Sequence, residues 1–425
     1  MRDHELRKVA VSEMHLRRWP AVDVPSTILQ WVVMVSDDDR AEELAAIESK
    51  SDPQDAGFAP SHRSGWAASG LRFVWERHSE GSSLTYFLKG DSAAPHPQLE
   101  NDEALRIGLE WARSLPGEIV RSTRILLVAN EAEAERIVAS IEFERDELVS
   151  CYVGSGEMRV WSDFRIKQDG FGLLVVAAND THASDLTRTL QQLQELGNYR
   201  NRALLGLPLA RESWPHLNAA EASLRDLSNR VANSAEPDDH LLDALSSLSL
   251  ELVSLSTAMQ FRMDATKAYA QIVEERLEQL APRAIEGFSS LDDFTQRRFH
   301  PAMNTCVAST ERLRELAVRA EQLSSLLRAR VETRIESQNA DLLASMERSS
   351  SMQLRLQQLV EGLSVVALSY YALGLVKMAL DGLPPGVLDG ESNTIVGILV
   401  IPVLLGVWLA TSLVKKRVLR SPPNK

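Results

Sequence analysis

Two long apolar runs dominate the hydropathy pattern of this chain. Residues 394–414 read TIVGILVIPVLLGVWLATSLV without a charged side chain, and residues 362–380 are apolar except for Lys377. A helix of about 20 apolar residues crosses the roughly 30 Å hydrocarbon core of a bilayer. The pattern predicts two transmembrane helices, over residues 362–380 and 394–414, joined by a short outer loop over residues 381–393.

The charges that flank the two runs predict their orientation. Residues 415–425 carry several basic and no acidic side chains, whereas residues 381–393 carry acidic and no basic ones. Positively charged flanks stay on the cytoplasmic side of a membrane. We therefore expect a basic cytoplasmic tail over residues 415–425, and two crossings place residues 1–360 on the same side. The first residues, MRDHELRKVAV, lack the apolar stretch of a secretory signal.

A sustained spacing of three to four residues between apolar positions runs from Leu241 to Leu280. This spacing is typical of a long amphipathic or coiled-coil helix. A second helix is expected to begin near Pro301, since no Gly or Pro follows before Gly362. Together they predict a stalk of long helices over residues 212–361. Its seam needs a partner: the other helix of an antiparallel hairpin, other subunits of a homo-oligomer, or a partner protein.

Strand-like and helix-like segments alternate in the first part of the chain, which predicts an α+β cytoplasmic domain over residues 1–211. Several strands look linked as hairpins, so a mixed sheet fits better than a doubly wound one. One such hairpin has Asp169 and Gly170 at its turn. The predicted strands are 26–35, 71–78, 83–88, 121–129, 149–154, 158–166 and 171–177. The predicted helices are 39–50, 102–114, 131–140 and 183–205, and residues 51–70 and 90–96 are expected to be surface loops.

Composition excludes several classes of function. The net charge of -13 and the 6% content of aromatic residues argue against nucleic acid as a partner, because phosphate binding needs clustered Lys and Arg. Two isolated cysteines, Cys151 and Cys306, indicate neither a zinc site nor a disulfide framework. No phosphate-binding loop, zinc-protease motif, nucleophile elbow or dinucleotide fingerprint is present. We predict no catalytic residue, no metal site and no cofactor.

The densest polar cluster, which is the candidate functional surface, lies in one predicted strand. Its members are Trp75, Glu76, Arg77, His78 and Glu80. Strand alternation places the two glutamates and the histidine on one face and the other two side chains on the opposite face. The cluster is either a carboxylate–imidazole site for a divalent cation or a half-exposed strand whose charges pair with neighbours. A later strand adds three candidates that are able to supply such pairing, namely Trp161, Asp163 and Arg165.

Polar side chains beside and within the first apolar run form a second set of candidates, at the membrane surface or lining a pore. They are Arg355, Glu361, Ser364, Ser369, Tyr370, Tyr371 and Lys377. The order of a cytoplasmic domain, a long helix and two spans resembles the architecture of CorA-type magnesium channels. The Gly-Met-Asn filter of those channels is absent here, and Lys377 near the mouth would repel cations.

Motifs distributed over nearly the whole chain resemble one bacterial family. They are Ser12-Glu13-Met14-His15 with Arg17 and Pro20, Trp75-Glu76-Arg77-His78-Ser79-Glu80, Val160-Trp161-Ser162-Asp163-Phe164-Arg165, Asp169-Gly170-Phe171, Tyr199-Arg200 followed by Leu207-Pro208-Leu209-Ala210-Arg211, and the stretch from Leu354 to Ala367. The family is the domain of unknown function 3422 family, described as uncharacterised membrane-anchored proteins. Met14 departs from it, because a leucine is usual there. The resemblance implies membrane anchoring and no known catalytic residue.

These observations predict an α+β cytoplasmic domain, a long α-helical, coiled-coil-like stalk and a C-terminal transmembrane helical hairpin. The main hypothesis is a non-enzymatic interaction or scaffold module on the cytoplasmic face of the bacterial inner membrane, with both termini in the cytoplasm. Its expected partners are the lipid bilayer and, through the stalk, a second copy or a partner protein. The alternative is an oligomeric ion channel or transporter.

Overall fold

The structure is a computed structural model of the chain. It describes residues 3–5, 7, 11, 19–53, 61–90, 96, 102–141, 143, 145–154, 156–233, 237–382 and 392–418. The chain divides into two compact units, Met1–Ser324 and Ser325–Lys425. Several segments with expectations from the sequence lie outside the described residues: the motif at residues 12–17, residues 54–60 and 91–95 of the two predicted surface loops, residues 383–391 of the outer loop and residues 419–425 of the basic tail.

The first unit is built around one nine-stranded sheet. Its strands are β1 Ser26–Met34, β2 His62–Ala68, β3 Leu71–His78, β4 Gly81–Lys89, β5 Glu118–Val128, β6 Val149–Val153, β7 Met158–Ser162, β8 Gly172–Ala177 and β9 Arg283–Ala284. They lie in the order β2-β3-β4-β1-β5-β8-β7-β6-β9. The neighbours β5 and β8 are parallel, and the other neighbouring pairs are antiparallel. The N-terminal region is thus an α/β structure, and the expectation of a mixed sheet is confirmed.

The helices begin where the sequence offers suitable caps. Asp102 accepts a hydrogen bond from the backbone N–H of Leu105, and Asn130 accepts one from Glu133, so two helices start directly after these side chains. The described helices are α1 Arg40–Glu48, α2 Glu103–Ser114, α3 Glu131–Ser140, α4 Ala183–Leu204, α5 Gly206–Asn233, α6 Asp238–Leu280, α7 Leu291–Phe294, α8 His300–Asp381 and α9 Ser392–Val418. A 3-10 turn at Arg145–Glu147 and a π-helical turn at Thr295–Phe299 complete the set.

Strand β2 corrects the prediction that residues 51–70 form only a surface loop. Residues His62–Ala68 pair with β3 in an antiparallel register. The small side chains of this segment hide its strand character, because they give no strong hydrophobic alternation. At Gly65 an added Cβ would lie 2.1 Å from the carbonyl oxygen of Lys50, so the backbones approach more closely than any side chain allows. Pairing with β3 and close packing of the backbones at Gly65 stabilise this strand, rather than the intrinsic strand propensity of its residues.

The predicted hairpin between β7 and β8 is confirmed. The two strands are antiparallel, with Trp161 opposite Val175. Gly170 has a φ of 85°, a left-handed conformation that favours glycine, and its N–H donates to the carbonyl of Lys167 at 2.9 Å. Strand β7 ends at Ser162 instead of residue 166, because Phe164 leaves the extended region with a φ of 53°.

Helices cover both faces of the sheet. On one face α1, α2 and α3 pack over two apolar clusters. The strand registers place Gln30, Thr85 and Thr123 together on the opposite face. Side chains of α4 make hydrogen bonds to this face, so its polar residues are covered by protein. The sheet therefore has one apolar buried face and one buried face that contains many polar groups.

Helix α6 packs against α4 and α5 within the first unit. Its buried positions recur every three to four residues and follow the spacing predicted from the sequence. They include Leu241, Leu245, Leu248, Leu252, Met259, Met263, Thr266, Val273, Leu277 and Leu280. The apolar seam of this helix is therefore covered inside the same chain.

The second unit contains the later part of α8 and helix α9. Between residues 332 and 360 every side chain of α8 is exposed. Among the described residues, three helical segments are long and apolar enough to cross a membrane by length and composition. These are Asp238–Leu280, Leu291–Asp381 and Val396–Lys416.

Candidate functional site

Trp75 lies in the core of the first unit. Its side chain is fully buried in the apolar cluster on the face covered by α1 and α2. The indole Nε1 donates a hydrogen bond to Oε1 of Glu43 at 2.9 Å, and Glu43 is itself buried. Arg77 lies on the same face, with its guanidinium 5.4 Å from the Trp75 ring centre. This half of the predicted cluster therefore belongs to the apolar core and its border.

Glu76, His78 and Glu80 lie toward the opposite face, where each has a partner. His78 Nε2 is 3.2 Å from Ser83 Oγ, and Glu80 forms a buried ion pair with Arg262 at 2.7 Å. Glu80 follows the end of β3, so its pairing is set by the turn into β4. In the part of the chain that the structure describes, no three His, Cys, Asp or Glu side chains come together to hold a metal ion. The geometry supports the interpretation of charges paired with neighbours.

The candidates from the later strand do not meet the first cluster. Four strands separate β3 from β7 in the sheet, so the pairing suggested between the two sets does not occur. Trp161 is buried beneath the guanidinium of Arg159, which lies 4.5 Å from its ring centre. Asp163 is buried and accepts a hydrogen bond from Lys167 Nζ at 2.6 Å. Arg165 pairs with Glu147 at 3.0 Å.

Arg159 lies at the centre of a polar cluster that the sequence analysis did not predict. Its Nη1 lies 2.7 Å from Oε2 of Glu131, and its Nε donates to Ser150 Oγ at 3.1 Å. Tyr152 and Asn179 also donate to Glu131, each at 3.0 Å. Partial burial tends to raise the pKa of Glu131, but the hydrogen bonds from Arg159, Tyr152 and Asn179 outweigh it and lower that pKa. The ionised carboxylate is therefore the stabilising form.

We expect Glu131→Gln to lower the free energy of unfolding by about 1–2 kcal/mol at pH 7, because it removes charge-assisted hydrogen bonds. A carboxyl whose folded pKa is depressed contributes stability above its unfolded pKa, roughly pH 4.3, and loses it as the pH falls through the folded value. The difference between wild type and variant should therefore shrink below about pH 4. Urea unfolding across a pH series measures it. Glu135→Gln is the control, since Glu135 is more exposed and 3.4 Å from Arg159; an equal effect would contradict the assignment.

The candidates beside and within the first apolar run are distributed along α8. Glu361 forms an ion pair with Lys415 of α9 at 2.6 Å. The hydroxyls of Ser364 and Ser369 donate to the carbonyls four residues earlier, each at 2.7 Å, so both are satisfied within the helix. Arg355, Tyr370, Tyr371 and Lys377 are exposed. Within one copy of the chain these side chains do not converge on a common site.

A chain of buried amide hydrogen bonds connects the sheet to α4. Arg121 Nη1 donates to Gln194 Oε1 at 2.7 Å and to Asn198 Oδ1 at 2.6 Å. Asn198 Nδ2 then donates to Gln30 Oε1 at 2.9 Å, and Gln30 donates to Thr85 Oγ1 at 2.8 Å. The spacing of Gln194 and Asn198, four residues apart on α4, is the signal in the sequence that places both on one helix face.

A cavity of about 110 Å³ lies between the starts of β5 and β8 and the middle of α4. Arg121 and Arg200 both line it, as do Thr123 and Asn201. The Arg200 guanidinium lies 4.4 Å from the ring centre of Phe164 and 5.2 Å from that of Phe294. We call this cavity the arginine cavity. Arg200 belongs to the Tyr199-Arg200 motif, but nothing in the sequence connects it with Arg121.

The charges of the arginine cavity are poorly compensated by the surrounding protein. Burial, together with the nearby positive charge of Arg200, lowers the pKa of Arg121 to about 9. Burial also lowers the pKa of Arg200 to about 10. Both shifts have the direction expected when a cation is taken out of water without an opposite charge beside it. The cavity therefore brings together two cations whose charged forms are disfavoured by burial.

Comparison with known proteins agrees with the motifs. A family model described as "Protein of unknown function (DUF3422)" matches residues 2–418. The chain belongs to this family. No curated protein and no solved structure matches the chain. The family assignment covers both compact units and supplies no catalytic or binding residue.

Proposed function

We propose that this DUF3422 chain is a membrane-anchored, non-enzymatic interaction or scaffold module of the bacterial inner membrane, with both termini in the cytoplasm. The observation that carries the proposal is the apolar surface of α8 and α9. Large apolar side chains on these helices are 47–76% exposed: Val366, Leu368, Leu375, Met378, Ile398, Ile401, Leu405, Leu409 and Leu413. Apolar surface of this extent is rare on a soluble monomer, whereas lipid would cover it.

The ion pair between Glu361 and Lys415 supports a hairpin. Glu361 immediately precedes the first apolar run, and Lys415 immediately follows the second. Their contact keeps the start of the first span and the end of the second span at the same depth in the bilayer. These are the two ends that would face the cytoplasm. The basic residues that follow Lys415 favour the inner side of the membrane. Two crossings fit this arrangement.

The third apolar segment, Asp238–Leu280, is not part of the proposed anchor. Its apolar face is already buried against α4 and α5 within the first unit. Exposing that face to lipid would require this packing to be lost, which makes two spans the simpler arrangement. The spans in α8 and α9, in contrast, expose many large apolar side chains.

The exposed part of α8 between residues 332 and 360 is the proposed contact with a second copy. Leu342, Met346 and Leu356 form an apolar seam there, and they are 56–62% exposed. Copies anchored in one bilayer point in the same direction, so their helices are able to pair in parallel along this seam. Such pairing would give a scaffold that displays several copies of the first unit.

The anchor is tested by alkaline extraction of membranes that contain the full-length chain. We expect the wild type to stay in the membrane pellet, and a reporter active only outside the cytosol to stay silent at either terminus. Leu405→Arg should reduce the inserted fraction, because an arginine at a span centre costs about 2.5–3.5 kcal/mol. Met352→Arg is the control, because Met352 is also exposed (65%, against 52% for Leu405) but lies outside the spans.

Recovery of the wild type as a soluble protein without detergent would contradict the anchor. Active external reporters would contradict the topology. Robust turnover of a small molecule by the purified chain would overturn the non-enzymatic role, and selective Mg²⁺ flux in proteoliposomes would favour the ion-pathway hypothesis. Each result concerns a different part of the proposal.

A further inference from the structure

The arginine cavity contains two cations and, among the residues that the structure describes, no carboxylate is paired with either. Arg121 donates to the neutral amides of Gln194 and Asn198. Arg200 is only 7% exposed and has ring contacts with Phe164 and Phe294 in place of a counter-charge. A buried charge without an opposite partner is strongly unfavourable. We propose that the arginine cavity binds a small oxyanion of the phosphate class, with Arg121 and Arg200 as its cationic ligands.

The size of the cavity restricts the ligand. Its volume of about 110 Å³ is several times the space that one water requires. It is well below the roughly 300–1,000 Å³ of pockets that enclose whole cofactors or drug-sized molecules. A phosphate group therefore fits, whereas an enclosed nucleotide does not. Thr123 and Asn201, which also line the cavity, add neutral hydrogen-bonding groups.

The backbone holds the aromatic wall of the cavity in an unusual conformation. Phe164 has a φ of 53°, which is uncommon for a residue other than glycine. The hydroxyl of Ser162 accepts a hydrogen bond from the Phe164 N–H at 3.1 Å and donates to the carbonyl of Leu173 at 2.7 Å. These contacts keep the Phe164 ring against Arg200. Strained residues of this kind concentrate at binding sites, where the surrounding structure holds them.

Gly197 on α4 makes room for the guanidinium of Arg121. A Cβ added at Gly197 would lie 2.6 Å from Cζ of Arg121, so any larger residue would displace this guanidinium. Guanidinium groups bind oxyanions through two parallel N–H donors. Two such groups match the double negative charge of phosphate better than the single charge of a carboxylate. This charge balance is the reason for naming the phosphate class.

The test is a thermal unfolding titration of the full-length chain in mild detergent with inorganic phosphate, acetate and chloride at equal ionic strength. Phosphate should raise the Tm of the wild type, since a ligand that binds the folded state stabilises it by mass action. Acetate and chloride should have little effect. An equal response to all three salts, or a Tm that changes neither with saturating inorganic phosphate nor in nanodiscs that contain phosphatidic acid, would overturn the proposal.

Arg200→Met provides the sharper readout. Without phosphate its Tm should equal or exceed that of the wild type, because an uncompensated buried charge is removed. With phosphate its response should fall at least tenfold in apparent affinity. Arg188→Gln, on the exposed side of α4, is the matched control and should respond like the wild type. If Arg200→Met fails to fold, Arg200→Gln serves, because it also removes the charge, and undiminished phosphate binding in that variant would contradict the proposal.

The source of the phosphate is distinguished by reconstitution. In nanodiscs of pure phosphatidylcholine, a response to inorganic phosphate indicates a free anion. A shift that requires phosphatidic acid in the nanodisc indicates a lipid headgroup. The proposal does not depend on the membrane anchor. A chain that alkaline extraction releases from the membrane can still be titrated with phosphate.

Discussion

We expect Leu252→Asp to unfold the helical layer of the first unit, with a loss of about 4 kcal/mol or more in the free energy of unfolding. Leu252 is 2% exposed on α6, which packs against α4 and α5. The substitution removes buried apolar surface and places a carboxylate in its position without a partner. Circular dichroism should show a lower thermal midpoint and reduced helix content for the full-length chain in detergent.

Leu250→Asp is the matched control for this substitution. Leu250 lies two residues earlier on the same helix, and 70% of it is exposed. The same carboxylate there contacts water, so we expect a change within about 0.5 kcal/mol. Equal destabilisation of the two variants, or a wild-type midpoint for Leu252→Asp, would show that α6 buries a different face.

The second large effect is expected for Trp75→Ala, at about 3–5 kcal/mol of lost stability. The alanine leaves a cavity in the cluster on the α1 and α2 face of the sheet. It also removes the indole N–H that donates to the buried carboxylate of Glu43, which adds the penalty of a polar group with fewer partners. Urea unfolding of the full-length chain, followed by far-ultraviolet circular dichroism, measures the loss.

Trp66→Ala is the control for the tryptophan substitution. Trp66 lies on the neighbouring strand β2, and 51% of it is exposed. The same truncation there should cost much less, because most of the ring already contacts water. If both variants lost equal stability, Trp75 would not be a core residue. If Trp75→Ala left stability unchanged but abolished binding of a partner, the predicted functional surface would be supported instead.

The sequence predicts the elements of this fold well wherever local periodicity is strong. The strand from Leu71 to His78 and the helix after Asp102 have nearly the predicted bounds, because alternation and a capping side chain define them. Strand β2 was missed, since its Gly, Ala and Ser residues carry no hydrophobic pattern. Its pairing with β3 and the close approach at Gly65 are tertiary effects that no local pattern contains.

The candidate site shows a sharper division between sequence and structure. The alternation predicted for the Trp75 motif is confirmed, since Trp75 lies in the core and Glu76 lies on the opposite face; what the sequence did not show is which distant residues each side chain contacts. Arg121 and Arg200 gave no such signal, because they belong to a strand and a helix that are far apart in the chain. They meet only where α4 crosses the start of β5.

The sequence alone determined the family, the apolar runs and the periodicity of the long helices, since each depends on the order of side chains along the chain. The tertiary structure decided which faces are buried, which charges are paired and where two arginines share a cavity. These properties depend on strand order and helix packing between distant segments. A local pattern specifies the surface that an element must bury, but only the assembled fold selects what covers it.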